Sequence, residues 1–260
     1  MRAEGPAAAT AAPGYREFAP PVRLSGALHC LWVSVAAADG SLPVAVLPDA
    51  CTDLIWQSGT GAFVAGPDTG PAPFTWQPGT VLVGARFRPG AGGAALGVPL
   101  SELLNRRVDA ADLAAVPAGR LPGSLTPAEA VRRVGGIAAG LVTGHPPDLL
   151  IMEAVRLLGA PGARAEAVGS GLGLSERQLR RRCQAAVGYG PRTLARVLRF
   201  RRFLSRVDAG KAGDLAVVAA EVGYADQAHL TRESTRLAGL TPAELARTRA
   251  PSRPTGYESG

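Results

Sequence analysis

The chain has 260 residues, enough for one large or two ordinary domains with a substantial core. Hydrophobic residues make up 47% and charged residues 19%, which excludes a disordered chain, and no apolar run approaches the roughly 20 residues that span a bilayer. The net charge of +7 is unevenly spread: residues 1–150 hold 10 basic and 11 acidic side chains, whereas residues 151–260 hold 18 and 10. One-sided positive charge of this kind is the electrostatic footprint of a polyanion-binding surface.

Residues 1–14 are rich in Ala and Pro, but Glu4, Pro6 and Pro13 break any continuous apolar stretch, so a short disordered leader is expected rather than a secretory signal. Cys30, Cys51 and Cys183 are too few and scattered for a disulfide framework, and no two have zinc-ligand spacing. A cytoplasmic protein without cofactor or metal is the expectation. From Tyr15 to Leu104, Gly, Pro and Asp punctuate short apolar runs at Leu28–Val35, Val44–Leu47, Leu54–Trp56, Ala62–Ala65 and Thr80–Phe87. This pattern predicts the strands of a small β-rich domain. A helix is expected at Leu100–Arg106. Thr126-Pro127-Ala128-Glu129 is a capping box opening a helix to about Val142, and Pro147–Leu158 predicts another. Pro117–Gly123 and His145–Pro147 have the composition of hinges.

The C-terminal part contains a repeat. Leu179, Arg181, Gly188, Pro191 and Leu194 have the spacing L-x-R-x6-G-x2-P-x2-L, and Leu230, Arg232, Gly239, Pro242 and Leu245 reproduce it 51 residues later. Internal repetition means one supersecondary unit used twice. Each copy reads as helix, tight turn, helix. In the first, Gly171-Leu172-Gly173 makes the turn and Ser175 with Gln178 forms a capping box. Leu179, Cys183 and Ala186 then share an inward face, and Arg177, Arg180, Arg181 and Gln184 share an outward one. In the second, Asp214 and Asp226 are the expected caps and Gly223 the turn. Leu230 and Leu237 point inward, while Gln227, Ala228, Thr231 and Arg232 point out. A helix-turn-helix sets such a second helix in the DNA major groove. Between the copies, Pro191 opens a helix reaching about Ser205, about 24 Å long, a strut that would place two readers in successive grooves roughly 34 Å apart.

These residues carry a resemblance. Gly171–Pro191 (GLGLSERQLRRRCQAAVGYGP) resembles the first helix-turn-helix of the AraC/XylS family of bacterial transcription regulators, and Gly223–Pro242 (GYADQAHLTRESTRLAGLTP) resembles the second. The match covers about Asp148–Arg249. By position it implies base reading by Arg177, Arg180 and Arg181 in the first unit and by Gln227, Ala228 and Arg232 in the second. Gln184, Thr231 and Arg192 complete the expected DNA surface, with Arg196, Arg199, Arg201, Arg202 and Arg206 as phosphate contacts where they face outward. Ala228 can at most touch a thymine methyl. Family core aromatics are replaced by Cys183, Leu230, Ser234 and Leu245, and Gly169 stands where Ala is usual, which implies a looser second unit. The motifs YREFAPP (Tyr15–Pro21), CLW (Cys30–Trp32), LPDACTDLIW (Leu47–Trp56), AGPDT (Ala65–Thr69) and GARFRPGA (Gly84–Ala91) resemble an uncharacterised domain found in actinobacterial AraC-type regulators. That resemblance implies a sensing or dimerisation role.

The expected architecture is therefore α+β. A disordered leader (1–14) precedes a β-rich sensor domain (15–106), a helical connector (107–147), an all-α DNA-binding domain of two helix-turn-helix units (148–249) and a disordered tail (250–260). Double-stranded DNA is the implied partner, with RNA polymerase, a small-molecule effector and a second copy as further candidates, and the family tilts the expectation toward activation. An effector pocket in the first half would be lined by Trp32, Asp49, Asp53, Trp56, Asp68, Arg86 and Phe87, since pockets combine apolar walls with a few placed polar groups. Two other readings compete. Asp49, Cys51 and Asp53 with His29 form an imaginable nucleophile–base set for an enzyme tethered to DNA, although no nucleophile motif surrounds them. The arginines alone would suit a non-specific nucleoid-type binder. Gly90-x-Gly92-x-x-Ala95 matches a dinucleotide fingerprint only in spacing, for no repeating βαβ pattern accompanies it.

Overall fold

The computed structural model describes residues 14–36, 44–74 and 77–249, so the expected tail and all but the last residue of the expected leader lie outside the described residues. Eight strands come first: β1 (Gly14–Phe18), β2 (Leu28–Val35), β3 (Val44–Val46), β4 (Thr52–Gln57), β5 (Gly61–Ala65), β6 (Ala72–Phe74), β7 (Val81–Phe87) and, after the short helix α1 (Gly92–Leu96), β8 (Arg107–Asp109). Six form one antiparallel sheet in the order β1-β2-β7-β4-β5-β8, and β3 pairs with β6 apart from it. The remaining helices are α2 (Pro127–Gly144), α3 (Leu149–Leu158), α4 (Ala165–Gly171), α5 (Glu176–Val187), α6 (Pro191–Asp208), α7 (Leu215–Val222), α8 (Gln227–Ala238) and α9 (Pro242–Arg249).

Alternation along the strands gives the sheet two working faces, because successive side chains point to opposite sides. One face packs Leu54, Trp56, Val83, Ala85 and Phe87 against α2 through Val134, Ile137 and Leu141. The capping box at Thr126 and Glu129 starts that helix as the sequence implied. Residues 127–144, expected as part of a connector, thus contribute six buried side chains to the first core. The expected hinge at Pro117–Gly123 is fastened too. Leu121 is buried, the Trp56 indole donates to the Pro122 carbonyl at 2.8 Å, and Gly59 N donates to Gly123 O at 2.9 Å.

The helix expected at Leu100–Arg106 is a single 3-10 turn over Leu100–Glu102. Asn105 takes a left-handed φ of 56°, which ends any continuation and turns the chain into β8.

A second core joins α3 to α9 around Phe200 and Phe203 of α6, both fully buried. Fully burying such a side chain contributes about 1.5–3 kcal/mol, so α6 is the spine of this half. It runs 18 residues, or about 27 Å, and starts with Pro191 in its first turn. Three residues from the N-terminal part, Leu47, Ala50 and Leu104, also pack into this core.

Candidate nucleic-acid interface and effector cavity

The first reader is built as its sequence dictates. Ser175 accepts from Gln178 N and Gln178 returns a bond to Ser175 N, closing the capping box that starts α5. Gly173 makes the preceding turn at φ 66°, and Gly188 ends the helix at φ 91°. Leu179, Cys183 and Val187 are buried, Arg177, Arg180 and Arg181 are exposed, and Gln184 is half-buried.

The second reader repeats this plan. Asp226 caps α8 by accepting from His229 N at 2.6 Å, Gly223 turns at φ 91° and Gly239 ends the helix at φ 71°. Leu230, Ser234 and Leu237 are buried, while Gln227, Ala228 and Arg232 are exposed. Thr231 is half-buried, its hydroxyl donating to the Gln227 carbonyl at 3.0 Å. In the 51-residue register, Ser234 stands where the first unit has Cys183.

The other arginines of this half are mostly engaged elsewhere. Arg196 pairs with Glu233 at 2.8 Å and Arg206 with Glu221 at 2.5 Å. Arg199 lies over the Tyr224 ring, 5.3 Å from its centre, and Arg202 donates to the Val222 carbonyl at 2.8 Å. Arg201 reaches into the N-terminal half and donates to the Asp49 carbonyl at 3.0 Å. These five, expected as phosphate contacts where they face outward, are half-buried and tie α6 to its neighbours. Arg192 is exposed and pairs with Glu166 at 2.7 Å, a solvated contact worth little by itself. Among the described residues, no carboxylate pairs with Arg177, Arg180, Arg181 or Arg232.

The sheet face turned away from α2 holds a cavity of about 230 Å³ lined by Tyr15, Trp32, Ser34, Val46, Asp53, Ile55, Phe63, Ala65, Leu82, Arg86 and Arg107. Its polar centre is a cross-strand set, for Asp53 of β4 stands directly opposite Arg86 of β7. Asp53 accepts from the Trp32 indole at 2.7 Å and from Arg86 Nε at 3.1 Å. The Trp32 ring lies on Gly84, where a Cβ would fall 2.1 Å from the indole, so only glycine fits there. Asp49 and Glu17 approach the same guanidinium at 3.8 and 4.0 Å. Burial raises the Asp53 carboxyl above its ordinary range against the pull of Arg86. Burial alone would lower Arg86, but Asp53 and Asp49 outweigh it and the guanidinium is held firmly charged. At the cavity's other end Arg107 makes a two-bonded pair with Asp68, at 2.8 and 3.2 Å.

Of the seven residues expected to line a pocket, Trp32, Asp53 and Arg86 do so. Asp49 and Asp68 stand behind the wall as partners of Arg86 and Arg107. Trp56 and Phe87 belong to the opposite face and are fully buried in the first core, which corrects that expectation. Tyr15, Ser34, Val46, Ile55, Phe63, Ala65, Leu82 and Arg107 were not foreseen. Strand alternation was the signal for several, since residues 30, 32 and 34, or 82, 84 and 86, share one side.

The imagined nucleophile set is not assembled as chemistry. Asp49 Oδ1 accepts from Cys51 N at 2.8 Å in a turn, and burial pushes the Cys51 thiol well above its ordinary range. Glu17, His29 and Cys30 do bring three donor atoms within 4.8 Å of one another. Burial lowers the His29 imidazole, and Arg88, Arg201 and Arg86 lower it further; the same guanidinium groups would repel a divalent ion. The glycines of the dinucleotide-like spacing face protein atoms: a Cβ on Gly90 would fall 3.0 Å from Met152 Sδ and one on Gly92 3.1 Å from Thr52 Cβ.

Comparison with known proteins agrees with this division. Residues 16–109 match a family described as domain of unknown function DUF6597, and residues 169–248 match one described as helix-turn-helix domain. No curated protein matches the chain. Among solved structures, ToxT from Vibrio cholerae O395 aligns at 14% identity and TM-score 0.44, covering 83% of this chain and 95% of that one. ToxT from the same strain bound to (E)-4-(8-methylnaphthalen-1-yl)but-3-enoic acid aligns at 11% and 0.49, covering 85% and 99%. Unsaturated fatty acid bound ToxT from strain SCE256 aligns at 12% and 0.43, covering 83% and 94%. No helix of the described residues is long and apolar enough to cross a membrane. With a β-sheet half ahead of a duplicated helix-turn-helix whose reading-face arginines point outward, the chain is a DNA-binding transcription regulator that carries a helix-turn-helix domain over residues 169–248.

Proposed function

We propose that the N-terminal turns of α5 and α8 are the two base-reading surfaces of this regulator. Arg177, Arg180 and Arg181 contact base edges or phosphates from the first helix, and Arg192 and Gln184 contact the flanking backbone. Gln227 pairs with adenine, Arg232 with guanine, and Thr231 and Ala228 add small contacts, so the second helix is the less demanding reader. The observation that carries this reading is the contrast in arginine use. Arg196, Arg199, Arg201, Arg202 and Arg206 of α6 are engaged by internal partners, whereas the four on the reading faces are left without a carboxylate. Footprinting on genomic fragments tests it. Two protected major grooves on one DNA face are expected, with affinity falling at a log–log salt slope of about −0.9 per phosphate neutralised. Equal affinity for specific and competitor DNA at fixed salt would favour the nucleoid-type alternative. On this reading the protein works in the cytoplasm, with RNA polymerase and a second copy of the chain as candidate partners.

The cavity on the open sheet face is the effector site in this proposal. Its walls are aromatic and aliphatic, and its two guanidinium groups are already matched by Glu17, Asp49, Asp53 and Asp68. A carboxylate ligand would find no uncompensated cation. A small apolar molecule with a cationic or hydrogen-bond-donating group gains from both the carboxylate excess and the ring faces of Trp32, Tyr15 and Phe63. Calorimetric titration with phenylethylamine, phenylethanol and phenylacetate ranks these options. The amine is expected to bind most tightly and phenylacetate least, and the reverse order overturns the assignment.

A further inference from the structure

Both reading helices end against the same short loop of the N-terminal half. Gly188, which terminates α5, lies so close to Pro67 that a Cβ there would fall 2.7 Å from Pro67 Cγ and 3.1 Å from the Leu100 carbonyl oxygen. Four residues further along, the loop meets α8. A Cβ on Gly70 would lie 3.9 Å from the Arg236 carbonyl oxygen, and one on Gly239, which terminates α8, would lie 3.9 Å from Pro71 Cγ. The two glycines are the same position in the duplicated unit. Pro67 to Pro71 spans at most about 14 Å, so the loop bridges the C-terminal ends of both readers directly, independently of α6.

The loop is itself held from behind. Asn105 N donates to the Pro67 carbonyl at 3.0 Å, and the Asn105 side chain accepts from Thr69 N and Thr69 Oγ1 at 2.8 and 3.1 Å. Gly66 N donates to the Arg106 carbonyl at 3.0 Å. Asp68, buried within the loop, makes its paired bonds to Arg107, which lines the cavity. Asp68 is therefore the one loop side chain joined to a cavity wall by charge, and the two prolines are the contacts that reach the readers.

We infer that Pro67–Pro71 is a clasp that fixes the relative placement of the two reading helices, and that the Asp68–Arg107 pair is where occupancy of the cavity reaches it. The inference rests on the cavity being the effector site and on α5 and α8 being the readers. A ligand that displaces Arg107 removes the partner of a buried carboxylate, and the loop must move to satisfy Asp68 elsewhere. Since the loop is seated on the α5 cap and lies beside the α8 cap, that movement alters the spacing of two grooves' worth of contacts at once. Asp68 and Arg107 act as positioning residues here, for neither lies on a reading face.

The test is a distance measurement in the full-length chain without DNA. Spin labels are placed at Glu176→Cys and Gln227→Cys, equivalent exposed positions at the starts of α5 and α8. Cys30, Cys51 and Cys183 are buried with thiols raised by burial, so labelling is directed to the introduced sites. Electron–electron dipolar spectroscopy is expected to give one narrow distance distribution. Asp68→Asn and, separately, Pro67→Gly combined with Pro71→Gly should each broaden or split it, while Arg107→Lys should largely preserve it. The proline variant leaves the ion pair intact, so it decides the matter should Asp68→Asn fail to fold. Unchanged distributions in folded variants would mean that α6 alone sets the spacing, and the clasp would be overturned with the DNA-binding reading intact. Loss of the two-groove footprint in the unmodified protein would instead remove the reading itself.

Discussion

The two helix-turn-helix units share a backbone and differ in chemistry. Ser175 and Asp226 cap equivalent helices, Gly188 and Gly239 end them, and Leu179 and Leu230 anchor them inward. Yet the first reader offers three exposed arginines where the second offers one with Gln227 and Ala228. The first is also welded to the N-terminal half. Gly93 and Leu100 press on α5 and Tyr189 is buried, whereas Leu240, the counterpart of Tyr189, is exposed. Duplication thus conserved the positions that set helix geometry and let diverge those facing DNA and the neighbouring domain. A strongly charged, rigidly mounted reader stands beside a weakly charged, lightly held one. On the proposed reading, the first supplies most of the affinity and the second reads fewer positions.

The mounting difference makes the largest prediction. Alanine at either terminal glycine must adopt a left-handed conformation, costing about 1–2 kcal/mol. At Gly188 the added methyl also meets Pro67 and Leu100, a further cost of about 1–3 kcal/mol for overpacking, whereas at Gly239 it meets only open contact at 3.9 Å. Denaturant melts of Gly188→Ala and Gly239→Ala should therefore separate by at least the second amount. Equal losses would mean that the first unit is no more firmly seated than the second.

The chemical difference comes next. Arg181→Ala should weaken binding to the specific site by about 1–3 kcal/mol and relax preference at one base pair. Its register partner, Arg232→Ala, should do the same at a base pair in the other groove, with a smaller change in salt slope for the whole protein than Arg177→Ala with Arg180→Ala. The measurement is affinity across a panel of single base-pair variants at fixed salt. If every variant weakens equally with Arg181→Ala, that side chain holds phosphate, and the first unit carries no sequence information at that position.

The legibility of these regions in the sequence differed for a physical reason. Helices announce themselves locally: caps at Ser175, Thr126 and Asp226 and the left-handed glycines each require only neighbours within a few residues. The 51-residue repeat then supplied the tertiary plan. The cavity was half legible because it depends on strand parity. Arg86 and Phe87 are adjacent in one strand and so cannot both face one cavity, and Trp56 stands three residues from Asp53 with the same consequence. Counting alternate residues from Trp32 would have supplied Ser34, and counting from Arg86 would have supplied Leu82 and rejected Phe87. Tyr15 and Arg107 were beyond such counting, since they enter from the two edge strands, whose pairing partners the local pattern does not name. The internal partners of Arg196, Arg201 and Arg206 were illegible for the same reason: outward and inward arginines look alike until the packing of α6 is known.

The smallest expected effect is the cleanest internal control. Cys183 and Ser234 occupy the same position of the repeat and are both fully buried, so they compare a sulfur with an oxygen in one backbone setting. Among the described residues the Ser234 hydroxyl has no hydrogen-bond partner, and an unsatisfied buried donor costs about 1–3 kcal/mol. A thiol in the same place behaves as a small hydrophobe, and the Cys183 thiol, pushed up to about 11 by burial, stays neutral at physiological pH. Ser234→Cys should therefore stabilise the second unit by about 1 kcal/mol, and Cys183→Ser should destabilise the first by a similar amount, both read from denaturant midpoints at constant m-value. Opposite signs of equal size would mean that the two pockets are equivalent and that polarity alone distinguishes them. A stabilising Ser234→Cys with a neutral Cys183→Ser would mean that the first unit has an acceptor within reach of position 183 and that the second has lost it.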